Sequence, residues 1–225
     1  MTTRTDLTTR ADRRTARLAA VLFLVTWVTS VGALPLYGGS SYDPATRLAG
    51  RDSVLTASLL EVVLAVAVVG TSLALYPLLR AHGRGAALGY VALRGLEASV
   101  ILVGVVAVLP AVARPATTAA PGLSVDVVDG LRLVHDWTFL VGPGLINPVN
   151  ATVLAVLLWR RRLVPRFIPL LGLVGSVLVL GQNLAVMFGL TGTIAILVVP
   201  LFAWEISLAA YLLLRGIRPA QPRPR

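Results

Sequence analysis

Of 225 residues, 56% are apolar and 13% charged, and the mean hydropathy is +0.84; a soluble domain carries about 25% charge, so an ordinary water-soluble fold is excluded. No cysteine is present, which removes disulfides, thiolate metal sites and a cysteine nucleophile. The net charge of +10 comes from 20 arginines without a lysine, placed beside apolar runs as membrane-flanking charges are, so the expected partners are the bilayer and its anionic headgroups, not nucleic acid.

Residues 1–17 form a polar, basic arm. Arg10, Arg13, Arg14 and Arg17 follow a spacing that would give a helix one basic face; a frayed tail supplying topogenic charge is the plainer reading. Leu18 to Tyr37 exceeds the roughly 7–15 residues of a signal-peptide core and is read as the first membrane helix. Five more apolar segments follow, at about 54–79, 86–113, 130–159, 167–190 and 194–214. Each of the six reaches the roughly 20 residues that span a bilayer. The Pro-rich end, 218–225, reads as disordered. The expected architecture is therefore all-α: a polytopic membrane protein with a single bundle of six transmembrane helices over 18–217.

The connections alternate in charge. The arm, the Arg80–Arg84 turn, the Arg160–Arg166 turn and the C-terminal tail together hold 15 arginines; the connections at 38–52 and 114–129 hold three. The positive-inside rule then puts both termini in the cytoplasm of a bacterial inner membrane. Gly85-xxx-Gly89 and Gly172-xxx-Ser176 are expected to mark close helix packing.

Ionisable groups inside spans are rare and costly, and here they are Glu61, Arg94, Glu97, His135, Asp136 and Glu205. Counting depth from the arginine turns at about 1.5 Å per residue sorts them into two layers. Glu61, His135 and Asp136, with Arg132, lie towards the outer ends; Arg94, Glu97, Glu205 and Asn150 lie near mid-depth. Gln182 and Asn183 fall between. His135 and Glu61 are expected within one side chain or one water of each other. Arg94 is expected to pair with one of Glu97 and Glu205, with Asn150 bonded nearby, leaving the other carboxylate as a spare proton site. Gly142-Pro143-Gly144 is expected to break or kink the fourth helix, because Pro143 cannot donate to the ladder and crowds the preceding turn.

Each feature also has a plainer meaning. Arg132 and Asp136, four apart, suit an interfacial salt bridge. His135 suits a satisfied structural histidine. Asn147 and Asn150 suit interhelical hydrogen bonding, and Arg94 with its carboxylates suits a structural network. With only His82 and His135 present, neither a bis-histidine haem nor a zinc cluster is expected, and no metal or cofactor is assigned. No GxSxG or phosphate-loop motif occurs.

Arg94-Gly-Leu-Glu97, the run from His135 to Gly144, Arg162-Leu-Val-Pro-Arg-Phe167 with Leu171-Gly-Leu-Val-Gly175, and Phe202-Ala-Trp-Glu205 together resemble a bacterial six-helix membrane family, domain of unknown function 4386. The resemblance runs from Arg17 to Ile217. It implies a one-domain multi-pass membrane protein and no assigned activity, and its hallmark polar positions match Glu97, His135, Asp136, Asn150 and Glu205. Three functions stay open: a transporter-like or ligand-binding bundle with a protonatable interior, a structural or accessory subunit, and an intramembrane enzyme using His135 with Asp136 or Glu61. The first is preferred, its small-molecule ligand unknown, and enzymatic activity is not expected.

Overall fold

The computed structural model describes residues 4–38, 48–112 and 123–217, with the backbone alone for 4–11. The segments 39–47 and 113–122 and the tail from 218 lie outside the described residues. Every regular element described is helical. They are α1 (Arg4–Ala33), a 3-10 turn (Leu34–Tyr37), α2 (Arg51–Val112), α3 (Val125–Phe139), a π-helical turn (Leu140–Ile146), α4 (Asn147–Arg161), α5 (Phe167–Met187), a second 3-10 turn (Ala195–Val198) and α6 (Val199–Leu214). The arm is not frayed from Arg4 onward: α1 runs from there through the apolar segment in one piece.

Among the described residues, five stretches are long and apolar enough to cross a membrane: Asp12–Tyr37, Arg51–Val112, Val125–Arg161, Phe167–Met187 and Ala195–Leu214. The difference from six lies in α2, which takes in both the second and the third expected segments. Straight, its 62 residues would reach about 90 Å, three times the roughly 30 Å apolar core of a bilayer. The backbone instead leaves helical geometry at Gly83 (φ 176°, ψ 85°). The two arms then lie against each other. Val54 and Ala57 share a core cluster with Val108, Leu64, Ala65 and Val68 share one with Ala98 and Ile101, and Leu75 to Leu79 meet Ala87 and Tyr90. Partners lie at equal distances either side of Gly83, which is the pattern of an antiparallel hairpin. A Cβ at Gly83 would sit 2.9 Å from Leu157 Cδ1, a contact that the end of the leucine side chain can relieve by shifting.

The elements close into a ring. α1 packs on α2 and α6, α2 on α3 and α4, α4 on α5, and α5 on α6. The largest core cluster, including Phe23, Leu79, Leu154, Leu163 and Leu212, fills one end. The basic turns gather at that same end. His82 and Gly83 share a groove with Arg160 and Arg161, and Gly216 lies against Arg13 and Ala16. This is called the arginine end below, and the opposite one the distal end.

Several hydroxyls within the helices are satisfied locally. Thr26, Thr71 and Ser176 donate to the carbonyls of Phe23, Ala67 and Gly172 at 2.6–2.8 Å, so they add no unpaired donor to an apolar interior. Close packing falls where Gly172 and Gly175 meet Trp204 and the backbone of Leu201 on α6. The expected Gly85-xxx-Gly89 face is not one: a Cβ at either position meets nothing within 4 Å.

Candidate functional site

Two polar clusters occupy the ring at different depths. In the central one, Arg94 Nη1 donates to Glu97 Oε2 at 2.9 Å and to Asn147 Oδ1 at 3.3 Å. Asn150 Nδ2 donates to the same Glu97 oxygen at 2.6 Å. Arg94 and Glu97 are three apart on one arm of α2, so they share a face; Asn147 and Asn150 repeat that spacing at the start of α4. The guanidinium also stands about 6 Å from the rings of Phe23 and Tyr90, which adds cation–π attraction. Glu205 on α6 lines the same space but forms no ion pair among the described residues.

The distal cluster joins three elements. His135 Nε2 lies 3.0 and 3.1 Å from the two oxygens of Glu61, and its Nδ1 lies 3.4 Å from Asp136 Oδ1. Tyr37 donates its phenol proton to Glu61 Oε2 at 2.8 Å. Arg132 Nη2 stands 3.1 Å from Asp136 Oδ2. None of Glu61, Arg132, His135 and Asp136 is more than 4% exposed. A neutral imidazole donates from one nitrogen only; this ring serves both carboxylates when it carries its second proton.

Between the clusters lies the π-helical turn. The interruption expected at Gly142-Pro143-Gly144 takes the form of this turn: α3 ends at Phe139 and α4 begins at Asn147, while the chain stays helical from Val125 to Arg161. Pro143 has no N–H to give and its ring crowds a normal turn. A wider turn absorbs both problems, and the N–H of Asn147 reaches back five residues to Gly142 O, the bond that defines a π-turn. A Cβ on Gly144 would lie 3.1 Å from the Asn183 side chain, so the turn is pressed against α5.

Each cluster borders a cavity. The central one has a volume of about 200 Å³ and is lined by Trp27, Arg94, Glu97, Asn147 and Glu205. The distal one has a volume of about 450 Å³ and is lined by Tyr37, Glu61, His135, Asp136, Gln182 and Asn183. Ser30, Pro143, Val179, Val198 and Phe202 line both, so the cavities adjoin across the π-turn. Among the described residues no cluster of His, Asp and Glu has the form of a metal site.

The pattern of the domain of unknown function DUF4386 matches residues 18–216. The chain belongs to the DUF4386 family. No curated protein and no solved structure matches it.

In this DUF4386 chain the expected site residues fall into place unequally. Glu61, His135 and Asp136 are joined by hydrogen bonds, as are Arg94, Glu97 and Asn150, while Glu205 faces the second group across the cavity. Gln182 and Asn183 line the distal cavity, and Asn183 stands against Gly144 of the π-turn between the two clusters. Several residues of the site carry no mark in the sequence. Tyr37 reads only as the end of an apolar run, yet its hydroxyl is the second donor to Glu61. A buried tyrosine usually brings its O–H to a partner, and that was the available signal. Trp27, Phe139 and Phe202 are walls that only the closed ring reveals.

Proposed function

We propose that the protein is a transporter-like or ligand-binding bundle of the bacterial inner membrane, crossing it six times with both termini in the cytoplasm. The observation that carries the reading is the pair of adjoining cavities, each floored by buried ionisable groups. Ionisable side chains inside a membrane protein usually mark an ion, proton or substrate path. A ligand or proton from outside would meet the His135–Glu61–Asp136 cluster first, then pass the π-turn, then meet Glu205 opposite the Arg94–Glu97 pair. The second reading, a structural subunit, draws support from Glu97, whose bonds to Arg94 and Asn150 leave it well paired.

The chain has no cysteine, so single cysteines report cleanly. Cysteines at Ser30, Val179 and Phe202 in membrane vesicles should react with a small, membrane-impermeant thiol reagent. Leu158→Cys, in the packed arginine end, should not. If all three cavity positions react only after denaturation, the interior is dry and the structural reading holds.

A further inference from the structure

We propose that the distal cavity takes a hydrophobic amine, admitted sideways near the distal rim, and that its binding expels the second proton of His135. The inference rests on the ligand-binding reading above and names the ligand class for one of its two cavities.

The entrance follows from how the ring closes. α6 proper begins only at Val199, preceded by the short 3-10 turn. Neither α5 nor that turn packs against α1. The cavity residues that are exposed all belong to the two edges of this gap: Val31 and Leu34 on one side, Thr193 and Ala195 on the other. The neighbouring surface, Leu190, Ile194 and Ile196, is exposed and apolar. A mouth with such lips faces lipid near its boundary with water, where an amphiphile would already lie.

The chemistry of the ligand follows from the floor and walls. Two carboxylates, Glu61 and Asp136, line the cavity, whereas Arg132 does not. Tyr37, Phe139 and Phe202 present aromatic rings to the same space. Carboxylates under aromatic walls suit an ammonium group, by charge and by cation–π attraction. The apolar remainder, including Val31, Leu34 and Val198, suits a hydrocarbon or ring body. About 450 Å³ lies within the usual range for small-molecule pockets, roughly 300–1,000 Å³.

Charge balance supplies the exchange. Glu61 and Asp136 carry two negative charges. Arg132 cancels one. Doubly protonated His135 cancels the other, and it faces Glu61 from α2, Asp136 from its own helix and the Tyr37 ring from the 3-10 turn. An arriving ammonium would leave one uncompensated positive charge in a buried site, which is costly. Release of one proton from His135 restores neutrality, so the cavity holds either that proton or the amine.

The test uses the full chain in lipid nanodiscs with dansylcadaverine, a fluorescent primary amine, and its primary-alcohol counterpart. The amine should bind and the alcohol should bind far more weakly. Calorimetry in buffers of different ionisation enthalpy should show about one proton released per amine, as the charge balance requires. Glu61→Gln should weaken the amine by about a hundredfold, the scale of losing one partner of a buried charge pair. His135→Gln, which keeps a polar group there, should bind the amine without releasing a proton. Leu34→Trp and Ala195→Trp, both at the exposed lips, should slow association. Equal binding of amine and alcohol, no amine binding, or proton release unchanged in His135→Gln would overturn the proposal; unaltered association in both lip variants would overturn the lateral entrance. Should cavity cysteines react while the amine fails, the ligand-binding reading survives and this inference falls. Should no cavity cysteine react, both fall.

Discussion

Arg94 keeps its charge at any pH a cell reaches, so in its buried position its environment must cancel it. Glu97 does so at 2.9 Å, with Asn147 and Asn150 completing the bonds. Removing the cation leaves Glu97 buried and unpaired. Arg94→Leu should therefore cost roughly 3–5 kcal/mol, the scale of breaking a buried pair, seen as a lower midpoint in detergent-induced unfolding. Glu205 has no such ion pair among the described residues, and Glu205→Gln keeps its shape and its hydrogen-bonding atoms; that variant should lose less than about 1 kcal/mol, the scale of one hydrogen bond. An equal loss in both variants would mean that Glu205 shares the guanidinium charge. The Arg94–Glu97–Asn150 group was legible in the sequence because two rules of spacing bring it together: three residues along a helix, and equal depth from the arginine turns. Tyr37, Trp27 and Phe202 were not, because an aromatic in an apolar run has no visible depth or direction until its neighbours surround it.

Small residues and prolines act at the scale of the element, and there the sequence signals separate by what stands opposite them. Gly172 and Gly175 let α5 approach α6 until Trp204 and the Leu201 backbone touch. Gly85 and Gly89 have the small-xxx-small spacing that Gly172 and Ser176 also have, yet nothing faces them. Spacing alone cannot tell these apart, since the partner surface comes from another part of the chain. Gly175→Ala should thus push α5 from α6 and destabilise the bundle by about 1–3 kcal/mol, as overpacking does. Gly85→Ala and Gly89→Ala should be neutral or stabilising by up to about 1 kcal/mol, because alanine restricts the unfolded chain without meeting an obstacle. Comparing the three variants by thermal unfolding in one detergent decides the matter; similar losses in all three would show that the close α5–α6 approach is not a packing constraint. The π-turn carries the same lesson for Pro143. Its missing N–H was legible. The choice between a break and a widened turn depends on α2 and α5, which pack against the turn, and tertiary packing of that kind lies outside local sequence rules.

For the molecule as a whole, orientation follows from where the hairpin turns. α2 folds back at Gly83, so its two ends emerge together at the distal end, while Arg80 and Arg84 flank the bend. The α4–α5 turn with Arg160, Arg161, Arg162 and Arg166 and the end of α6 with Arg215 reach the same end of the ring. Arginines beside a membrane segment resist translocation, and with all three sites together their effects reinforce one another. Reporter fusions after Arg84, Arg162 and Arg218 should all report the cytoplasm, and fusions at Ser41 and Thr118 the outside. The fusion at Thr118 is the decisive one. If α2 crossed once and its remainder lay along the surface, Arg84 would remain cytoplasmic but Thr118 would too. If the hairpin crosses twice, Thr118 must report the outside. The paired core positions on either side of Gly83 favour the second outcome, since Val54 could not share a cluster with Val108 unless both arms ran the same span.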